Sequence, residues 1–193
     1  LSAVLPGSPL VSETLGRFCR YLCAAAVSMP ETLRRRLSAL SQSTAPGFFP
    51  ELERMQAEQL AIFVLRVFAS RALRSVGLEY EARECELAQE EPLDAAYAAS
   101  RAEWDITCVT SERRVEDFEA VAQVVAVNAA QAYSRAIGET DLLVPVAGDH
   151  AALAVLAWEV PFALSRINAD LDWVWDCTAA AIEESMKCHS ITA

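Results

Sequence analysis

Residues 112–137 read ERRVEDFEAVAQVVAVNAAQAYSRAI, and they lie between Ser111, a residue type that caps helix starts, and Gly138, one that stops helices. Val115, Phe118, Ala122, Val125, Ala129, Ala132 and Ala136 alternate steps of three and four along this stretch, a spacing that keeps a set of side chains on one face of a helix. Most of that seam is alanine or valine, so a neighbouring helix can approach closely. The stretch therefore predicts a long helix at the centre of the packing.

The flanking sequence carries the same signals. Ser28-Met29-Pro30-Glu31 fits a capping box that ends one helix, over 11–27, and starts another that runs to about Ser41. Gln42 to Pro50 reads as a loop, followed by a helix from Glu51 to Val76 that is about 39 Å long at 1.5 Å per residue and stops at Gly77. Leu78 to Glu91 and Pro92 to Val109 are two further helices. After a connection from Gly138 to Gly148, Asp149 caps a helix over 151–164 that Pro161 kinks or restarts, and Asp170 caps the last, reaching about Cys188. Glycine is scarce, at six residues, and the alternation of a half-buried strand is missing. The expectation is an all-α fold, a compact bundle of seven or eight helices with no sheet, forming a single domain over 1–193. An irregular helical-repeat array is the alternative, disfavoured because no fixed period recurs.

The chain carries a net charge of −11 and a pI near 4.6, which argues against nucleic acid or an anionic membrane as partner, since binding phosphates requires Lys and Arg. The longest uncharged run, Ala120 to Ser134, contains Gln123, Asn128 and Gln131, so no membrane span is predicted. The first ten residues lack the basic start of a signal peptide. Six cysteines fall short of a disulfide scaffold and read as reduced thiols, and a cytoplasmic location is expected. The charge is uneven, with −9 over residues 77–119 and −7 over 139–193. Glu79, Glu81, Glu84, Glu86, Glu90, Glu91 and Asp94 form the first acidic block, which reads either as a solvated helix face or as a surface that steers a basic partner. Arg34, Arg35 and Arg36, the one basic run, read as a solvated stripe.

Catalytic chemistry is thinly represented. The two histidines are His150 and His189. Asp149 before His150 is explained by helix capping, and no Ser or Cys motif supplies a nucleophile. Cys19 with Cys23, and Cys177 with Cys188, share helix faces, but no CxxC or HxxxH pair accompanies them, so neither a metal site nor a cofactor is predicted. Asp172 and Asp176 stand one turn apart, with Asp170 and Asp172 suited to a first helical turn. Arg66 interrupts an apolar run but projects onto a stripe with Gln56, Gln59, Ser70 and Arg74, which places it in solvent.

Tryptophan is more informative. Trp173 and Trp175 diverge by about 200° at roughly 100° per residue, while Leu171, Val174, Thr178 and Ile182 already define a buried stripe. At least one indole should therefore reach a second surface. Trp173, Trp175, Asp172 and Asp176 form the expected partner-binding face. The function expected is that of a helical protein that binds another, basic, protein, as an acidic inhibitor of the toxin-neutralising immunity type or as a regulator of an enzyme. The alternative is an enzyme or small-molecule binder with a pocket near His150, Trp158, Glu159 and Trp173. A third reading is a homo-oligomer that buries its apolar faces between copies. Burial of both indoles would shift the interaction to the acidic segment from Glu79 to Asp94.

Overall fold

A computed structural model describes residues 11–25, 29–43, 50–110, 117–138 and 171–187. Every described element is helical: α1 (Glu13–Ala25), α2 (Glu31–Gln42), α3 (Pro50–Phe63), a π-helical turn (Val64–Ala69), α4 (Ser70–Ser75), α5 (Glu79–Glu86), α6 (Pro92–Thr110), α7 (Asp117–Ile137) and α8 (Leu171–Lys187). The all-α compact fold is as the sequence predicts. Ser28, Ser111, Val115 and the 151–164 helix with its cap Asp149, together with Asp170, lie outside the described residues.

Helix α7 is the hub, packing against α3, α4, α6 and the π-turn. Ala122, Val125, Ala129 and Ala132 of its seam are buried and Ala136 is half-buried. Burial extends around the helix to Ala126, Ala130, Tyr133 and Ser134, which is what a helix enclosed by several neighbours requires. The facing helix α6 buries Ala95, Ala96, Ala99 and Ala102. An interface with alanine on both sides lets the axes approach toward the short end of the usual range, about 8 Å.

Helices α3 and α4 and the turn between them form one continuous rod, ended by Gly77 at φ +81°. The Leu78 N–H donates to Leu73 O and the Gly77 N–H to Arg74 O, both at 3.1 Å, which closes a Schellman motif around the left-handed glycine. Within the rod, Leu60 to Leu65 are buried without a break, and Phe68, Ala69, Ser70, Ala72 and Leu73 continue the burial. In a regular α-helix each four-residue step overshoots a turn by about 40°. A π-turn holds more residues per turn than an α-turn, so the segment Val64–Ala69 offsets part of that drift. The Ser70 N–H donates five residues back, to Leu65 O, and the Ser70 hydroxyl donates to Arg66 O at 2.5 Å.

The same turn corrects the projection made for Arg66. Gln56 and Ser70 are buried, and Arg66 is half-buried rather than solvated. Its guanidinium reaches Glu184 at 3.3 Å and Gln89 Oε1 at 3.5 Å, and it lies 5.5 Å from the Phe63 ring centre. Constant helical pitch was the wrong assumption across residues 64–69.

Helix α1 is anchored at its start by α3. Glu53 Oε1 and Oε2 accept the backbone N–H groups of Glu13 and Thr14 at 2.6 and 2.9 Å, the Ser12 hydroxyl accepts from the Leu15 N–H at 3.0 Å, and the buried Gln56 carbonyl accepts from the Ser12 N–H at 2.8 Å. A carboxylate from another helix thus meets donors that α1 cannot satisfy itself. Helix α2 departs from its capping-box expectation: Pro30 occupies the cap position, Glu31 is the first helical residue, and its carboxylate pairs with Arg35 at 2.9 Å. Among the described residues no helix is long and apolar enough to cross a membrane.

Candidate protein-binding face

Helix α8 docks on α3, and its Val174, Trp175, Thr178, Ala181, Ile182 and Ser185 are buried. Trp175 is therefore a core residue and not the contact residue that the sequence reading made of it. The buried arc of α8 is broad enough to include a position one residue beyond Val174. Its indole N–H has no hydrogen-bond partner among the described residues. Trp173 is half-buried, with its ring edge-on to Phe68 at 5.9 Å and the Arg71 guanidinium 4.0 Å from its centre. The divergence of the two indoles is real, but the second surface that Trp173 reaches is occupied by Phe68 and Arg71 of the same chain. Asp172 and Asp176 are exposed. Ion pairs of Glu183 with Arg36 at 2.6 Å and of Glu184 with Arg66 complete the docking of α8. His150, Trp158 and Glu159 lie outside the described residues.

A different surface gathers the features of a binding face. Tyr80, Leu87, Leu93 and Tyr97 are the exposed large hydrophobic side chains among the described residues, at 60%, 42%, 38% and 42% exposure. All four fall on α5, α6 and the turn that joins them. Over residues 92–102 of α6 the side facing the core is alanine, so the large residues Leu93, Tyr97 and Arg101, spaced by four, share the outward stripe. Arg101 reaches across to α5, with its guanidinium 5.9 Å from the centre of the Tyr80 ring. The two tyrosines and the arginine therefore share one surface.

Short α5 is fastened from both flanks. Arg74, at the end of α4, pairs with Glu79 at 3.2 Å and Glu86 at 2.7 Å, two carboxylates seven residues apart on one side of α5. The hydrogen bond from Arg74 holds the Glu86 carboxyl below its ordinary range. On the inner side Ala82 and Cys85 are buried, and the Cys85 thiol donates to Ala95 O of α6 at 3.7 Å. The backbone of the turn is internally satisfied, with the Glu90 and Glu91 N–H groups both donating to Leu87 O at 2.9 Å. The exposed side chains are thus carried on an ordered hairpin of helices.

From Glu79 to Arg101 the sequence holds seven carboxylates and two arginines. Glu79 and Glu86 share the single positive charge of Arg74, whereas Glu81, Glu84, Glu90, Glu91 and Asp94 form no ion pair among the described residues. The acidic block was evident in the sequence, but its aromatic content was missed. The missed signal was an inverted first part of α6, residues 93–102, with small residues at the core positions and large ones at the solvent positions, where ordinary amphipathicity would reverse them.

The thiols offer little chemistry. Cys19, Cys23, Cys85 and Cys177 are free. Burial pushes Cys19 and Cys85 up to about 12, with the Glu81, Glu84 and Glu86 charges adding to the effect at Cys85, so neither forms a thiolate near neutral pH. Burial also raises Cys23 and Cys177. Among the described residues no group of three or more His, Cys, Asp or Glu side chains is placed to hold a metal ion. Comparison of the chain with protein-family models, with curated proteins and with solved structures finds no match.

Proposed function

We propose that this chain is a helical protein-binding protein, an acidic inhibitor or regulator of a basic partner, and that it engages that partner through the α5–α6 face. One coincidence carries this reading: the exposed large hydrophobic side chains of the described residues all fall within the block whose carboxylates are mostly uncompensated. A solvated face kept for solubility alone gains nothing from exposing two tyrosines and two leucines, which lower solubility. Exposed tyrosines ringed by charge are what binding hot spots use, because the ring supplies large contact area at small entropic loss. Carboxylates around them accelerate encounter with a basic surface and repel anionic competitors. Inhibition of a basic enzyme, of the toxin-neutralising type, is the task this chemistry suits.

The test is affinity capture from the native cell with three baits: the wild-type chain, Tyr80→Ala/Tyr97→Ala and Trp173→Ala. A basic protein retained by the first and third baits and lost from the second supports the reading. Loss only from the Trp173→Ala bait moves the site to α8. Retention by all three refutes both faces.

A further inference from the structure

We infer that the α5–α6 face takes an arginine-bearing segment of its partner, with a guanidinium stacked on Tyr80 and Tyr97 and its hydrogen bonds accepted by neighbouring carboxylates. This rests on the protein-binding reading above and names the chemistry of the partner.

The chain already displays each half of that mode. Arg101 lies 5.9 Å from the Tyr80 ring centre, near the outer limit of about 6 Å for a cation on an aromatic face. Tyr80 nevertheless remains 60% exposed, and Arg101 makes no ion pair among the described residues. The ring is thus marked as a guanidinium site but only loosely filled. Arg74 shows the other half, a single guanidinium bridging Glu79 and Glu86 of the same helix. Five further carboxylates in the block await such a partner.

Arginine fits this combination better than lysine. Its planar group stacks on a ring while its edge donors remain free for carboxylates, whereas an ammonium must give up one set of contacts to make the other. A second copy of the chain is a poor occupant, because symmetric pairing would set the uncompensated carboxylates against each other. Nucleic acid and anionic lipid are excluded by the same sign of charge.

The test titrates the full chain with two labelled peptides of equal length and charge, one bearing three arginines and the other three lysines, and follows fluorescence anisotropy. The arginine peptide should bind roughly three- to tenfold more tightly. Tyr80→Leu/Tyr97→Leu should abolish that preference and leave the lysine peptide unchanged, while Tyr80→Phe/Tyr97→Phe should retain it. Glu84→Gln/Glu90→Gln/Glu91→Gln should weaken both peptides and flatten their salt dependence. Arg101→Gln should tighten the arginine peptide a few-fold by vacating the ring. All these positions are exposed or half-buried, and circular dichroism verifies that each variant is folded.

Equal affinity for the two peptides, or an arginine preference that survives the double leucine substitution, overturns the inference. If the preference is absent while the captured partner is still lost from Tyr80→Ala/Tyr97→Ala, the face stands and its arginine chemistry is refuted. If the preference is present while capture ignores that variant, the face binds guanidinium but is not where the partner docks.

Discussion

Substituting Ala129 with leucine should lower stability by about 3 kcal/mol, near the upper end of the usual overpacking range. Ala129 has no exposed surface, and it lies on a helix enclosed by α3, α4, α6 and the π-turn. Leucine brings three extra carbons into a fully buried position. The strain must be met by an unfavourable leucine rotamer or by moving a neighbouring helix away from α7, which opens voids elsewhere in the contact. For a chain of this size each kcal/mol is worth about 2–4 °C, so the midpoint should fall by roughly 6–12 °C in scanning calorimetry. Glycine at the same position should also destabilise, by about 2 kcal/mol, through the lost helix propensity of about 1 kcal/mol and one buried methyl worth about 0.8 kcal/mol. Leucine at Ala120, on the exposed side of α7, should change stability by less than about 0.5 kcal/mol. An Ala129→Leu protein that melts at or above the wild-type temperature would refute close packing around this face of α7.

Glu53→Gln leaves one carbonyl where two carboxylate oxygens accepted the N–H groups of Glu13 and Thr14. A loss of about 1–2 kcal/mol is expected in denaturant titration, and no loss would mean that α1 is anchored by Gln56 and Ser12 alone. The Glu86 carboxyl is depressed by its hydrogen bond to Arg74, so its small contribution is fully present above the ordinary value of 4.5 and fades as pH falls through the folded value. Wild-type and Glu86→Gln midpoints should accordingly differ at neutral pH and converge in acid; a gap that persists in acid would contradict the assignment. Cys19 and Cys85 are raised from 9.0 to about 12, so burial of the neutral thiols stabilises fully below 9.0 and less as pH climbs toward 12. Both thiols should resist alkylation in the native state at neutral pH and react on unfolding, and rapid native labelling of either would refute their burial.

The helix boundaries were the most legible part of the chain because punctuation is local. Gly77 and Gly138 stop helices where the sequence places them, each with positive φ, and the alternating seam of α7 announced its burial. The π-turn escaped because a fixed pitch was imposed on residues 60–73, and an apolar run that is buried from Leu60 to Leu65 without a break carries no period that would reveal it. The predicted helix over 78–91 is shorter, ending at Glu86, since after Leu87 the chain turns back to bring α6 beside α5. The candidate site was half legible. Charge needs no partner to be counted, so the acidic block stood out. The fate of an aromatic depends on which neighbour arrives, and nothing near Trp175 in sequence shows that it is buried. Conversely, Tyr80 and Tyr97 are exposed because alanines fill the core side of α6.

Hydroxyl-radical footprinting of the captured complex bears most directly on where this chain binds, because it reads each aromatic side chain separately. Binding should protect Tyr80 and Tyr97 strongly, while the oxidation rate of Trp173, already half-covered by Phe68 and Arg71, should match that of the free chain. Protection of Trp173 with Tyr80 and Tyr97 unchanged would contradict the α5–α6 face and return the interaction to α8.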